Sequence, residues 1–155
     1  TNLEALGLYD MLYLRGVLPS QIANLSHLSD LLVGNTFDNE IVFSSFLSHL
    51  PTNLATLSLY SIPFTGSIPP SIRLFHNLTS LQLDSCSTLS GTLPTEIGLL
   101  TSLSDLALSS LTLDGKIPSE LGRLTQLTLL YVDGTNFEEP FPSEILEMPG
   151  LTTGY

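Results

Sequence analysis

Three histidines, one cysteine and two Asn-x-Ser/Thr tripeptides are the features of this 155-residue chain whose residue types invite chemistry. His27, His49 and His76 each precede a leucine-rich extended stretch. A zinc site needs three or four ligands converging on one ion. Stacked at about 4.8 Å per turn of a repeating fold, these histidines approach one another without the close carboxylates a chelate needs. They are expected as surface or loop side chains, and no metal is expected. Cys86 has no partner for a disulfide and is expected as a buried structural thiol rather than a reactive one. No Gly-x-Ser-x-Gly elbow, His-Glu-x-x-His pair or phosphate-binding glycine loop occurs. Neither enzyme activity nor a cofactor is therefore expected. Asn24-Leu25-Ser26 and Asn77-Leu78-Thr79 are candidate N-glycosylation acceptors, and their use would mark a secretory route.

Composition narrows the classes further. The chain is 43% hydrophobic but only 12% charged, with 15 acidic and 4 basic residues and a formal charge of -11. Nucleic-acid binding needs a basic footprint, which is missing. The mean hydropathy of +0.32 argues against intrinsic disorder. Every apolar run is broken within a few residues by Ser, Thr, Asp or Pro, so no membrane span is expected. No leader-like stretch opens the sequence, but the chain is expected to start and stop inside a longer one.

The elements that must position these residues repeat. Leu-x-x-Leu-x-(Leu/Val) recurs at Leu3, Leu28, Leu54, Leu78, Leu103 and Leu127, and a truncated seventh start lies at Leu151. A second string, Gly-x-(Ile/Leu)-Pro-x-x-(Ile/Leu), runs from Gly16 to Ile22, Gly66 to Ile72, Gly91 to Ile97 and Gly115 to Leu121. The sixth repeat keeps Phe141-Pro142 to Ile145 but has Glu139 in place of Gly. The second, around Phe37 to Leu50, has lost the string.

Each string has a physical reading. The alternation ending the first suits a short strand with one buried face, stacked in parallel on the next repeat. Gly permits the turn, and Pro ends the extended segment. The residue after Pro (Ser20, Thr95, Ser119, Ser143) is expected to cap a short outer helical turn. Glu96, Glu120 and Glu144 suit the positive end of that turn. Leu25, Phe75, Leu100, Leu124 and Met148 return the chain to the core. No single repeat can bury its own apolar face, so stacking makes the core.

Six strings in register, four of them followed by the Gly-x-Ile/Leu-Pro string, resemble the leucine-rich repeat family in its plant-specific class. The resemblance spans the whole chain. It implies an α/β solenoid, a right-handed superhelix with a parallel concave sheet and 3₁₀ or extended convex segments, and it implies an extracellular or cell-surface location. The chain is expected as one domain over residues 1–155, lacking the caps that shield solenoid ends. Where the family places Asn, eight residues after the first Leu, this chain has Met11, Thr36, Ile62, Cys86, Leu111 and Thr135. Its turn amides must therefore be satisfied by carbonyls of adjacent repeats or by buried water.

The same resemblance implies that the variable strand residues line the concave face. Tyr9, Tyr60 and Tyr131 then become amphipathic anchors, and Asp10, Asp84 and Asp133 attract a basic group. Asp30, Gln82 and Asp105 complete the candidate binding residues. No Lys or Arg falls in these segments; Arg15, Arg73, Lys116 and Arg123 lie elsewhere. The function expected is a non-enzymatic protein-interaction module with a neutral or basic protein partner. Two alternatives remain open: a structural subunit using its convex or end surfaces, and adhesion to carbohydrate or mineral through the hydroxyl-rich acidic face, with Ca²⁺ bridging its carboxylates.

Overall fold

A computed structural model describes residues 2–10, 18–35, 39–148 and 150–154. Met11, Arg15, Gly16, Val17, Thr36 and Phe37 lie outside the described residues. In chain order the strands are β1 (Ala5–Tyr9), β2 (Asp30–Gly34), β3 (Ile41–Val42), β4 (Thr56–Tyr60), β5 (Phe64–Thr65), β6 (Ser80–Asp84), β7 (Ser90–Thr92), β8 (Asp105–Ala107), β9 (Thr112–Lys116), β10 (Leu129–Tyr131), β11 (Asn136–Glu138) and β12 (Thr152–Gly154). Two α-helices, α1 (Phe43–Ser48) and α2 (Ser143–Leu146), accompany four 3₁₀ turns.

The leucine spacing produces one inner sheet. Seven parallel strands run β1-β2-β4-β6-β8-β10-β12 without a register slip. Leu31, Leu57, Leu81, Leu106 and Leu130 form one inward row, all at 1% exposure or less. A one-residue slip would turn that row to solvent, so burial fixes the register. Leu3, at the edge of the sheet, is instead 40% exposed, while its counterparts Leu28, Leu54, Leu78, Leu103 and Leu127 are buried.

A left-handed residue follows each of the first six inner strands. Asp10, Asn35, Ser61, Ser85 and Ser110 have φ between 50° and 57°, and Gly134 has φ 67° in the same place. Short polar residues and glycine tolerate this region best. The turn aims each of these N–H groups, except that of Gly134, at a carbonyl of the following repeat: Asp10 to Gly34, Asn35 to Tyr60, Ser61 to Asp84, Ser85 to Ser109 and Ser110 to Asp133, at 2.8–3.2 Å. The missing asparagine column is thus compensated by neighbouring carbonyls, one of the two means the sequence left open. Ile62, Cys86 and Leu111 then enter the core, and Thr135 bonds back to the Val132 carbonyl at 2.6 Å. Burial pushes the Cys86 thiol up to about 11, although the Ile62 N–H opposes that shift.

The outer side corrects one expectation. Pro19, Pro69, Pro94, Pro118 and Pro142 themselves occupy the capping position of each outer turn, extended and without a side-chain cap bond. Ser20, Thr95, Ser119 and Ser143 are the first residues inside the turn or, at Ser143, the helix. Proline's fixed φ sets the chain's entry and leaves nothing for a following hydroxyl to cap. Glu96, Glu120 and Glu144 do lie in the first turn. Adjacent outer turns pack closely: a Cβ on Gly98 would stand 2.3 Å from the Glu120 carbonyl oxygen.

Short outer ladders complete the stack. β7, β9 and β11 form a parallel three-stranded sheet, and β3 pairs with β5. A single bridge, Gly66 to Leu89, connects the third repeat to the fourth on this side. In the second repeat α1 replaces the proline-led turn, and Phe43 and Phe46 meet Phe64 edge-on at 4.8 and 4.9 Å.

Candidate functional site

The period-two alternation that buries leucines inward turns three rows outward. Ala5, Asp30, Thr56, Ser80, Asp105 and Leu129 form the first row, and Gly7, Leu32, Ser58, Gln82, Ala107 and Tyr131 the second. The third begins Tyr9, Gly34, Tyr60 and Asp84. The repeat spacing continues it through Ser109 and Asp133.

Two of the three candidate tyrosines meet. The rings of Tyr9 and Tyr60 stack at 6.0 Å with 27° between planes, across the intervening strand β2. Gly34 makes this possible: a Cβ there would lie 1.8 Å from Tyr60 Cε1. Tyr9 stays 44% exposed, and Tyr60 is half-buried. Tyr131, 37% exposed, sits three strands beyond Tyr60 on the neighbouring row and joins neither. Asp10 accepts a hydrogen bond from Asn35 Nδ2 at 2.9 Å. Partial desolvation first, then the charge of Asp10, raises the Tyr60 phenol.

The carboxylates divide into two kinds. Asp105 is held by its neighbours: Gln82 Nε2 donates to its Oδ2 at 3.0 Å and Ser80 Oγ at 3.3 Å, while Ser58 Oγ donates to Gln82 Oε1 at 3.0 Å. Asp30 accepts from Ser29 Oγ at 2.5 Å, and that bond lowers its carboxyl. Asp84 goes the other way. Burial raises its carboxyl, the Ser109 N–H at 3.2 Å opposes the rise, and the charges of Asp133 and Asp105 add to it. Asp133 is exposed and accepts from Ser109 Oγ at 2.6 Å. It also lines an open hollow of about 490 Å³ with Val132, Thr135 and Phe137.

The hydroxyl richness is in part structural. Thr79, Ser104 and Thr128 each spend their hydroxyl on a carbonyl of the preceding repeat, at 2.9–3.1 Å. Gly34, Asn35 and Ser109 were not among the candidate binding residues; Gly34 is the spacer under the rings, Asn35 holds Asp10, and Ser109 holds Asp84 and Asp133. The signal available was the position of Gly34, one repeat from each tyrosine. Among the described residues no group of three His, Cys, Asp or Glu is arranged to hold a metal ion. His27 and His76 are exposed, and His49 is half-buried with Nδ1 2.7 Å from the Ser45 carbonyl. Asn24 and Asn77 are exposed.

The continuous inner sheet, the proline-led outer turns and the second outer ladder define the class: the chain is a leucine-rich repeat solenoid of the plant type. It is similar to plant receptor-like proteins and to receptor kinase ectodomains. Receptor-like protein 9DC1 of Solanum pimpinellifolium is 38% identical over 97 residues, and the match covers 61% of this chain but only 11% of that protein. Two Arabidopsis structures superpose on nearly all of the chain. The receptor kinase HAESA, solved with the peptide hormone IDA and the co-receptor SERK1, has a TM-score of 0.82 at 28% identity, covering 100% of this chain and 26% of that one. The LRR ectodomain of the receptor kinase GASSHO1/SCHENGEN3, solved with CASPARIAN STRIP INTEGRITY FACTOR 2, has a TM-score of 0.80 at 26% identity, covering 98% and 18%. No protein-family model matches the chain.

Proposed function

We propose that this chain is a non-catalytic protein-recognition segment of a larger extracellular or cell-surface receptor-like protein, with its partner docked on the inner sheet. The observation that carries the reading is the outer row of that sheet, where a stacked tyrosine pair is followed by Asp84 and Asp133 with no Lys or Arg among them. Rigid aromatic side chains with a polar tip are frequent binding anchors. The acidic half favours a neutral or basic partner by electrostatic complementarity. The structural relatives, solved with a peptide or protein partner, support the same use. Among the described residues no helix is long and apolar enough to cross a membrane. Ca²⁺-bridged adhesion draws no support from carboxylates that do not converge.

The test is capture of the native partner. Immobilised protein is compared with a Tyr9→Ala/Tyr60→Ala variant and with an outer-face control, Leu99→Ala, and captured proteins are identified by mass spectrometry. The reading expects a protein lost only with the tyrosine variant. Equal capture by all three would overturn it. Exposed Asn24 and Asn77 are proposed to carry N-glycans, and intact mass of the native protein showing both unmodified would refute that.

A further inference from the structure

We propose that the Tyr9–Tyr60 pair seats an arginine side chain of the partner, with Asp10 and Asp84 as its counter-charges. This rests on the inner sheet being the docking face and names the chemistry of one contact on it. Three observations converge.

Gly34 leaves a gap in the third row, and Tyr60 reaches across it, so two rings from non-adjacent strands share one surface at 6.0 Å and 27°. Both rings keep exposure to solvent, Tyr9 more than Tyr60. Carboxylates flank it. Asp10 follows Tyr9 in the left-handed turn and is held by Asn35, close enough for its charge to act on the Tyr60 phenol. Asp84 lies next to Tyr60 along the row. Among the described residues no basic side chain answers them: Arg73, Lys116 and Arg123 belong to the outer turns and outer ladder.

A planar cation meets all of these conditions. A guanidinium lies flat on an aromatic face, is weakly hydrated and still offers N–H donors at its edge to carboxylates. An ammonium is a compact, strongly hydrated charge that gains less from two rings. An uncharged planar group can still donate N–H groups to Asp10 and Asp84 but has neither the charge attraction to them nor the cation–π attraction to the rings.

The experiment uses the 155-residue chain with ¹³C-labelled tyrosine rings. It is titrated with N-acetyl-arginine amide, N-acetyl-lysine amide and N-acetyl-citrulline amide and followed by NMR. The Tyr9 and Tyr60 resonances are expected to shift together and saturate with the arginine amide, while Tyr131 stays still. The lysine amide should bind about three- to tenfold more weakly, and the citrulline amide should leave the rings unmoved. Tyr60→Leu should abolish the response. Gly34→Ala, which keeps both tyrosines but blocks their arrangement, should weaken it, with the far-ultraviolet circular dichroism of the backbone unchanged. Equal shifts with citrulline, no saturating shift of either ring, or an unaltered response in Gly34→Ala would overturn the assignment. Native capture that depends on the inner face while the arginine amide leaves both rings unmoved would refute the arginine seat alone. Capture indifferent to that face would refute the docking reading beneath it.

Discussion

Tyr60 stacks on Tyr9 from two strands away because the residue between them, Gly34, has no side chain to keep the rings apart. Their separation in sequence is 51 residues, yet the parallel ladder places them in one row. A glycine that looks like a weakness in a strand is here the condition for the most exposed aromatic surface on the inner sheet.

Gly34→Ala should therefore destabilise the chain, reversing the usual gain from replacing a strand glycine. The new methyl would fall 1.8 Å from Tyr60 Cε1, and the ring must swing out. Gly34 is buried, but the ring covering it is half-exposed and can move, so the cost is expected at about 1 kcal/mol rather than the full cost of overpacking a core. Urea unfolding measures it, and the near-ultraviolet tyrosine signal should change with it, since the chain has no tryptophan.

The left-handed column offers an opposite case. Ser61 holds φ 51°, which a glycine adopts freely. Ser61→Gly should raise stability by about 0.5–1 kcal/mol, and Ser61→Val should lower it by about 1–2 kcal/mol. The urea midpoints of the two variants should fall on either side of the parent.

Outer packing gives a larger effect. Gly98→Ala would bring a Cβ to 2.3 Å from the Glu120 carbonyl oxygen, a backbone atom that cannot rotate away. A loss of about 1–3 kcal/mol is expected in denaturant unfolding, with no change at the inner-face tyrosines.

The carboxyls predict a pH dependence of two signs. Asp84 is raised above 3.8 in the folded state, so the folded chain holds that proton more tightly and the stability it lends is lost as pH rises through that range. Asp30 is lowered, so its contribution is present above 3.8 and lost as pH falls. Asp84→Asn should thus be more stable than the parent at pH 7 and level with it at pH 3. Asp30→Asn should be less stable at pH 7 and level at pH 3. Urea midpoints at both pH values decide the signs.

Cys86 should resist alkylation. It is fully buried, and its thiol is pushed up to about 11. Iodoacetamide at pH 8 should leave native protein unmodified and label it fully in 6 M guanidinium chloride, by intact mass. Rapid labelling of the native chain would contradict the burial.

The sequence displayed the repeat and the inward leucines because both follow from spacing alone: the intervals between Leu31, Leu57 and Leu81 are enough to announce their row. It also required neighbouring carbonyls or buried water to replace an asparagine column, since Ile62 and Leu111 cannot bond to the backbone. Three things were hidden. Asp10, Asn35, Ser61, Ser85, Ser110 and Gly134 share one backbone conformation but no common residue type, so no string marks them. The tyrosine contact depends on lateral register and on a residue that lacks a side chain. The outer cap was misassigned because a hydroxyl after proline resembles a helix cap, whereas proline already sets the entry angle. The second repeat lost its string, and nothing in its spacing indicated that Phe43 and Phe46 would pack there on Phe64.

The two sides of the stack are not tied together equally. The inner sheet runs unbroken, while the outer pairing narrows to the Gly66–Leu89 bridge between the third and fourth repeats. A beam with one continuous flange and one notched flange bends at the notch. Among the outer ladders described the Gly66–Leu89 bridge is the narrowest, and it lies behind the junction of Tyr60 and Asp84. The thinnest of these outer ladders thus backs the seam where the aromatic and acidic halves of the inner face meet, and a partner lying across both would bear on that seam.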